Sequence, residues 1–252
     1  MTGRVDGRRI LVTGAGGGIG FACAERFARE GAGVALPDRD HEAGLRAEAR
    51  LGAPHVFVAA DVTDTASVAT AIARSVAALG GLDGVVNAAG IDLDRSLADM
   101  ADAEWDKVLA VNLTGSMRVC RAAIPHLRRA AAATIVNVAS GAGLFPLEGR
   151  AAYAASKAGL IMLGKVLARE LAGDGIRVNA VGPGAVDTPM LELSWRGRPD
   201  PQAARALIES RYALRRIAQP AEIADAILWL SSMESSFVTG IALAVDGGRT
   251  FH

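Results

Sequence analysis

An α/β fold with one parallel sheet of seven strands, wrapped by helices on both faces, is what this chain predicts. Short β-rich runs alternate with longer Ala-rich helical stretches from end to end. That alternation is the pattern of βαβ units, whose right-handed crossovers lay helices on each side of the sheet. Within 252 residues there is no linker, repeat or low-complexity tract, so residues 1–252 read as one domain. The composition is 51% apolar and only 4% aromatic, with 29 glycines, which suits tightly wound α/β packing.

RRILVT (8–13) is the first strand, and TGAGGGIG (13–20) joins it to a helix near 19–30. In a parallel sheet this turn lies at the carboxyl edge, where ligands enter the crevice. Five glycines in seven residues allow backbone to approach a pyrophosphate, and the helix beginning near Ile19 turns its free N–H groups and positive dipole end toward the anion. The spacing is G-x-x-x-G-x-G on Gly14, Gly18 and Gly20, with Gly17 inside it. No G-K-[ST] follows, so it is not a P-loop. A flexible strand-to-helix turn is the plain alternative.

GVALPD (33–38) is the second strand and precedes a helix at 41–51. At its end Asp38 could accept both ribose hydroxyls of an adenosine and repel a 2′-phosphate, selecting NAD over NADP. It could equally cap the helix that follows. Arg39 beside it could instead welcome a phosphate, but the glycine turn offers no basic residue, which leaves NAD favoured. HVFVAA (55–60) is the third strand, with a helix at 64–79 after it. Asp61 at its end could meet an adenine amino group or cap that helix. LDGVVNA (82–88), TIVNVAS (134–140), IRVNAVG (176–182) and IALAVD (241–246) complete the sheet, with helices near 104–129, 151–173 and 220–232.

The chain has two tyrosines and three lysines, so Tyr-x-x-x-Lys is expected by chance about 0.02 times. It occurs as YAASK (153–157) within an uninterrupted helical pattern, which sets Lys157 on the face of Tyr153. A free phenol titrates near pH 10, too high for a base at neutral pH, and a neighbouring cation favours the phenolate. An oxidised nicotinamide would add a second positive charge. Tyr153 could then take a proton from an alcohol or give one to a carbonyl. Alone, the pair also fits an inward-packed Tyr with a snorkelling Lys. Ser140 ends the fifth strand at the same carboxyl edge, where its hydroxyl could polarise a substrate oxygen. Asn112 interrupts an apolar helical stretch, and its amide could hold a water in line with Lys157. No G-x-S-x-G surrounds Ser140, so a hydrolase nucleophile is unsupported.

TGAGGGIG, VNAAG (86–90), Asn112, VNVAS ending at Ser140, YAASK, IRVNAVGPG (176–184) and SSFVTGIALAVDGG (235–248) together resemble the short-chain dehydrogenase/reductase family over nearly the whole chain. The resemblance implies a Rossmann-type sheet of order 3-2-1-4-5-6-7 and a tetrad of Asn112, Ser140, Tyr153 and Lys157. In it Tyr153 is the acid/base, Lys157 lowers its pKa and binds nicotinamide ribose, Ser140 positions the substrate oxygen and Asn112 supports a proton relay. It further implies an adenine site near Asp61 and Val62, a central strand held near Asn87 and leading to Gly90, and a carboxamide site in the segment Pro183, Gly184, Val186 and Thr188. Ala88 stands where the family often has a second Asn, and Pro37 before Asp38 is also unusual. An NADPH-dependent 3-oxoacyl thioester reductase shares the same motifs. A dinucleotide-sensing protein without turnover would have no need of Tyr153, Lys157 and Ser140 together.

Basic and acidic residues balance at 27 each, so no global field recruits nucleic acid or an anionic membrane. No apolar run reaches the roughly 18 residues of a membrane span, and the start lacks a secretory pattern, so the expected location is the cytoplasm. Cys23 and Cys120 are isolated and read as buried free thiols. His41, His55, His126 and His252 are scattered, and no zinc motif occurs. The segment 187–219, with three internal prolines, is the expected lid. Leu144, Phe145, Pro146, Leu147, Leu191, Leu193 and Trp195 suggest an apolar pocket for a small alcohol or ketone, while Arg196 and Arg198 are expected to face solvent. Helix 151–173 spreads small and apolar side chains over more than one face, and with the resemblance this implies a homotetramer.

Overall fold

The computed structural model describes residues 3–196 and 198–250; Met1, Thr2, Gly197, Phe251 and His252 lie outside them. Among the described residues seven strands form one parallel sheet: β1 (Arg9–Thr13), β2 (Gly33–Asp38), β3 (Val56–Ala59), β4 (Gly84–Asn87), β5 (Thr134–Val138), β6 (Arg177–Pro183) and β7 (Ala242–Val245). Their order is β3-β2-β1-β4-β5-β6-β7, every neighbouring pair parallel. The order reverses at β1, which lies between β2 and β4, and so opens a crevice at the carboxyl ends of β1 and β4.

Alternate residues of the strands serve two separate cores. Ile10, Val12, Val34, Leu36, Val86 and Val136 pack against α1 (Gly18–Arg29) and α9 (Pro220–Ser231). Leu11, Val85, Ile135 and Val178 pack on the other face against α3 (Thr65–Leu79), α5 (Ser116–Leu127) and α6 (Ala151–Leu171). Burial of such side chains contributes about 1.5–3 kcal/mol each, and it commits every strand to one register. The remaining helices are α2 (His41–Leu51), α4 (Asp102–Leu109), α7 (Pro189–Glu192) and α8 (Pro201–Glu209). By length and composition α6 could cross a bilayer, but it carries the buried Lys157 and packs on the sheet as a core helix.

Pro37 is tolerated inside the sheet for a local reason. Pairing of β1 with β2 ends at Leu11 opposite Ala35, and the Pro37 carbonyl accepts from Gly14 N at 2.9 Å. The same register turns the missing N–H toward the Val12 carbonyl, so the cost is confined to one ladder bond at the strand's end, while the next bond, from Gly14, is kept.

The expected helix at 104–129 is interrupted. Between α4 and α5, residues Ala110–Gly115 make a π-helical turn, and Asn112 lies within it. Such turns insert an extra residue into a helix and commonly mark functional positions. The expected lid forms α7 and α8, and its base is closed where Asp187 N donates to Ala218 O at 2.8 Å and Ala218 N to Ala185 O at 3.0 Å. Cys23 and Cys120 are buried free thiols, and burial pushes both up, Cys120 to about 11. Among the described residues, no group of three or more His, Cys, Asp or Glu side chains gathers as a metal site.

Candidate active site

The glycines of the first turn differ in what requires them. Gly14 has φ +68, and a Cβ there would sit 2.8 Å from Ala89 Cα; one on Gly20 would sit 2.2 Å from Gly14 O. These two let the strand, turn and helix close on one another. Gly17 has extended backbone, φ −174, and nothing lies within 4 Å of where its Cβ would be. Neither strain nor crowding by the protein demands glycine there. What it leaves clear is the approach to the N-terminus of α1, whose first turn carries no side-chain cap and no acidic residue. Gly18 also opens outward, with only Thr188 Cγ2 at 3.4 Å. Free N–H groups and a positive dipole end behind a cleared space fit a pyrophosphate.

Asp38 does not cap α2; Asp40 does, accepting from Ala43 N at 2.9 Å. The Asp38 carboxylate braces the turn instead, with Oδ2 accepting from Gly16 N (2.8 Å) and Oδ1 from Asp40 N (2.9 Å). Asp61 likewise leaves the capping of α3 to Asp64. It accepts from the backbone and hydroxyl of Thr63, which hold its carboxyl below the usual range, with help from the charges of Arg39 and Arg118. Val62 packs against Gly115 of the π-turn. Asp38, Arg39 and Asp61 therefore mark the outer end of the crevice, past β2 and β3.

At the inner end Thr13 Oγ1 accepts from Ala88 N (3.1 Å) and Ala89 N (3.2 Å). The segment is gripped by its backbone, which explains why Ala88 can replace an amide there. Asn87 and Asn137 face each other across β4 and β5, and Asn87 Nδ2 donates to Asn137 Oδ1 at 2.8 Å.

A cleft of about 920 Å³ runs from this region toward α7 and α8. Ile19, Ala88, Gly90, Pro183, Gly184, Val186 and Thr188 line it, and so do Ser140, Tyr153 and Lys157. Three contacts bring the last three together. Gly143 lies so close to α6 that a Cβ would sit 2.8 Å from the Lys157 carbonyl carbon, which draws the loop after Ser140 onto the helix. Lys157 Nζ donates to Val138 O at 2.8 Å, and its charge lies 5.6 Å from the centre of the Tyr153 ring.

Burial dominates the protonation of this pair. It pushes Lys157 down to about 8, opposed by the negative charge of Asp92. It pushes Tyr153 up to about 12, opposed by hydrogen bonding to the Ser140 hydroxyl. Among the protein's own groups, then, the phenol lies above 10 rather than below it: desolvation and the charge of Asp92 outweigh the Ser140 hydrogen bond and the charge of Arg150.

Asn112, fully buried, is a cross-link rather than a free amide. Its Nδ2 donates to Ile91 O (2.9 Å) and Ser156 Oγ (3.0 Å), and its Oδ1 accepts from Ile91 N (2.8 Å). Ser156 Oγ in turn donates to Tyr153 O at 2.7 Å, so the amide ties the loop after β4 to the turn bearing Tyr153. Both amide hydrogens are committed. Only the second lone pair of Oδ1 is left to act on a water, and a Cβ on Gly90 would lie 3.4 Å from both that oxygen and Lys157 Nζ.

Several lining residues carried no sequence signal. Arg150, three residues before Tyr153, pairs with Asp92 (2.7 Å) and Asp94 (3.3 Å) and zips the loops after β4 and β5. Burial raises the Asp92 carboxyl even against this cation. Arg211, Tyr212 and Arg249 also line the cleft. Of the expected apolar wall, Phe145, Pro146, Leu147 and Leu191 line it, whereas Leu144, Leu193 and Trp195 do not, and Leu193 is exposed. Arg196 pairs with Glu192 at the surface, and Arg198 is exposed as expected, at the rim of the cleft.

Residues 14–250 match the family model described as enoyl-(acyl carrier protein) reductase. A 3-oxoacyl-(acyl-carrier-protein) reductase of Thermotoga maritima is 41% identical, over 97% of this chain and 98% of its own length. Cyclopentanol dehydrogenase of a Comamonas species is also 41% identical, over 98% of this chain and 99% of its own. The solved structure of aldohexose dehydrogenase from Thermoplasma acidophilum superposes with a TM-score of 0.92 at 31% identity, covering 100% of this chain and 97% of that one.

Proposed function

This chain belongs to the short-chain dehydrogenase/reductase family and is an oxidoreductase of CH–OH groups; on that premise we propose that it interconverts a secondary alcohol and its ketone with NAD(H), Tyr153 serving as general acid/base. The observation that carries this reading is that one cleft gathers the Ser140 hydroxyl, the Tyr153 phenol and the Lys157 ammonium and continues to Ile19 and Thr188 beside the glycine turn. When bound, the dinucleotide supplies the hydride acceptor or donor and, in its oxidised form, a positive charge.

The chain's own groups would divide the rest. Gly17, Gly18 and the first turn of α1 would take the pyrophosphate, Asp38 the adenosine ribose, Asp61 and Val62 the adenine edge, and the segment Pro183, Gly184, Val186 and Thr188 the carboxamide. Ser140 would hold the substrate oxygen. Tyr153, a phenol protonated at neutral pH that burial raises further, would be the acid of ketone reduction. In alcohol oxidation it must give up that proton first, which the charge of Lys157 favours while pH stays below about 8. The lone pair of Asn112 Oδ1 toward Gly90 would carry the outer end of a proton relay, and Asn112 itself would chiefly position the Tyr153 turn.

Preference for NAD rests on the Asp38 carboxylate at the end of β2, which would repel a 2′-phosphate, and on a glycine turn without a basic residue. The Thermotoga relative supports a second reading, an NADPH-dependent 3-oxoacyl thioester reductase. Following absorbance at 340 nm with NAD and NADP across a panel of secondary alcohols, ketones and acyl thioesters separates the two. NAD-linked turnover of alcohols supports the first reading, and NADPH-linked turnover confined to thioesters would replace it.

The helices between 187 and 219 would act as a lid over the substrate. Met162 and Val166 of α6 are exposed at helical spacing, 57% and 46%, and burying such a stripe against a second copy would suit a homotetramer. Sedimentation as a stable monomer would overturn that assembly.

A further inference from the structure

The charges of the cleft do not cancel as those of the whole chain do. Arg150 pairs with both Asp92 and Asp94, a cluster that keeps one surplus carboxylate. Beyond it Lys157, Arg198, Arg211 and Arg249 face that surplus and the carboxylate of Glu148, so the lining stays net positive. Among the described residues, none of these three arginines has an ion-pair partner.

Arg249 is held in place by a dedicated turn. The buried Asp246 accepts from Gly248 N (3.0 Å), Thr250 N (3.0 Å) and Thr250 Oγ1 (2.6 Å), folding the segment back on itself. Thr250 then approaches Gly141, at 3.5 Å from where a Cβ would be, and the Arg249 guanidinium lies 5.0 Å from the centre of the Phe145 ring. This is the loop that follows Ser140, on the substrate side of the cleft. Arg211 lines the same cleft from the lid side, next to Tyr212, whose hydroxyl accepts from Ala185 N at 2.8 Å. The pyrophosphate, on the reading proposed above, would have its own place at Gly17 and Gly18, where Thr188 Cγ2 would lie 3.4 Å from a Cβ on Gly18.

The same lining carries a large apolar share, with Phe145, Leu147, Met190, Leu191, Leu207 and Ile208. We propose that the substrate is amphiphilic, a hydroxy or oxo compound with an apolar body and an oxyanion, in the simplest case a carboxylate, bound by Arg249 and Arg211 with Arg198 beside them. Guanidinium forks match oxyanions bidentately, and a net positive, partly apolar cleft concentrates such molecules. The inference rests on the alcohol and ketone chemistry proposed above and adds its substrate class.

The test compares wild type with the double variant Arg211→Gln/Arg249→Gln. Hydroxy acids from 3-hydroxybutanoate to 7-hydroxyoctanoate are each assayed against the neutral 2-alkanol of equal carbon number. The best acid should exceed its neutral match at least about tenfold in kcat/KM, and the double variant should lower that ratio about ten- to hundredfold. Calorimetric titration with octanoate, octyl phosphate and octanesulfonate, none of which carries a CH–OH group, reads the site without turnover and ranks the oxyanions. Binding should weaken with salt and fall in the variant. Equal use of acids and neutral alcohols, with octanoate binding unchanged by the substitutions, would overturn the proposal. So would a loss of NAD binding as large as the loss of octanoate binding, which would assign the arginines to the dinucleotide. If wild type turns over no alcohol at all, the oxidoreductase reading fails, while the titrations still decide the anion site.

Discussion

Replacing Lys157 with Met exposes how much the buried ammonium costs the fold. Burial lowers Lys157 from 10.5 to about 8, equivalent to about 3 kcal/mol. Below pH 8 the charged form is present in both folded and unfolded chains, and the penalty is felt in full. Between about 8 and 10.5 the folded chain binds fewer protons than the unfolded one, so stability climbs with pH. The part of that window below the free tyrosine pKa, pH 8 to 10, should yield about 2 kcal/mol. Urea denaturation of wild type and Lys157→Met at fixed protein concentration, at pH 7, 8, 9 and 10, isolates this term, because other groups cancel in the difference. Wild type should gain on the variant by about 2 kcal/mol from pH 8 to 10. At pH 7 the variant should be the more stable by about 1–2 kcal/mol, since the lost bond to Val138 O offsets part of the relief. Parallel pH profiles for the two proteins would refute a buried charge at Lys157.

Other substitutions separate architecture from chemistry. Gly20→Ala, whose Cβ would meet Gly14 O at 2.2 Å, should lower the melting temperature by several degrees, whereas Gly17→Ala should leave it unchanged and weaken dinucleotide binding in a fluorescence titration. Asp92→Asn removes a negative charge that raises both Tyr153 and Lys157, so the alkaline limb of the kcat/KM profile should move to lower pH; a profile that stays put would remove Asp92 from the electrostatics of the site. Asn112→Ala leaves the part-buried Ile91 N–H and C=O without their partner and should cost about 1–3 kcal/mol in urea denaturation.

Much of the frame was legible because the signals are local. Apolar runs such as RILVT and TIVNV appear as β1 and β5 within a residue or two of where their pattern places them, and the glycine turn lies between β1 and α1 as its spacing requires. Ambiguity survived wherever two like groups stand close together. In PDRD either carboxylate could cap α2, and only the folded turn shows Asp40 capping while Asp38 braces Gly16. The π-turn at Asn112 was hidden because tertiary bonds to Ile91 and Ser156, not local propensity, pull the residue inward. Arg150 and Asp92 meet only when the loops after β4 and β5 converge. The protonation of Tyr153 follows the same rule: the sequence shows the lysine four residues away but not the desolvation that raises the phenol.

Hydride transfer in Tyr153→Phe tests the central claim most directly. The substitution keeps the ring and its packing and removes one hydroxyl. With a secondary alcohol that wild type oxidises, formation of reduced dinucleotide at 340 nm should fall at least about a hundredfold, the scale of a lost general acid/base, with dinucleotide affinity within about twofold of wild type. Turnover within about twofold of wild type would contradict the assignment of proton transfer to Tyr153.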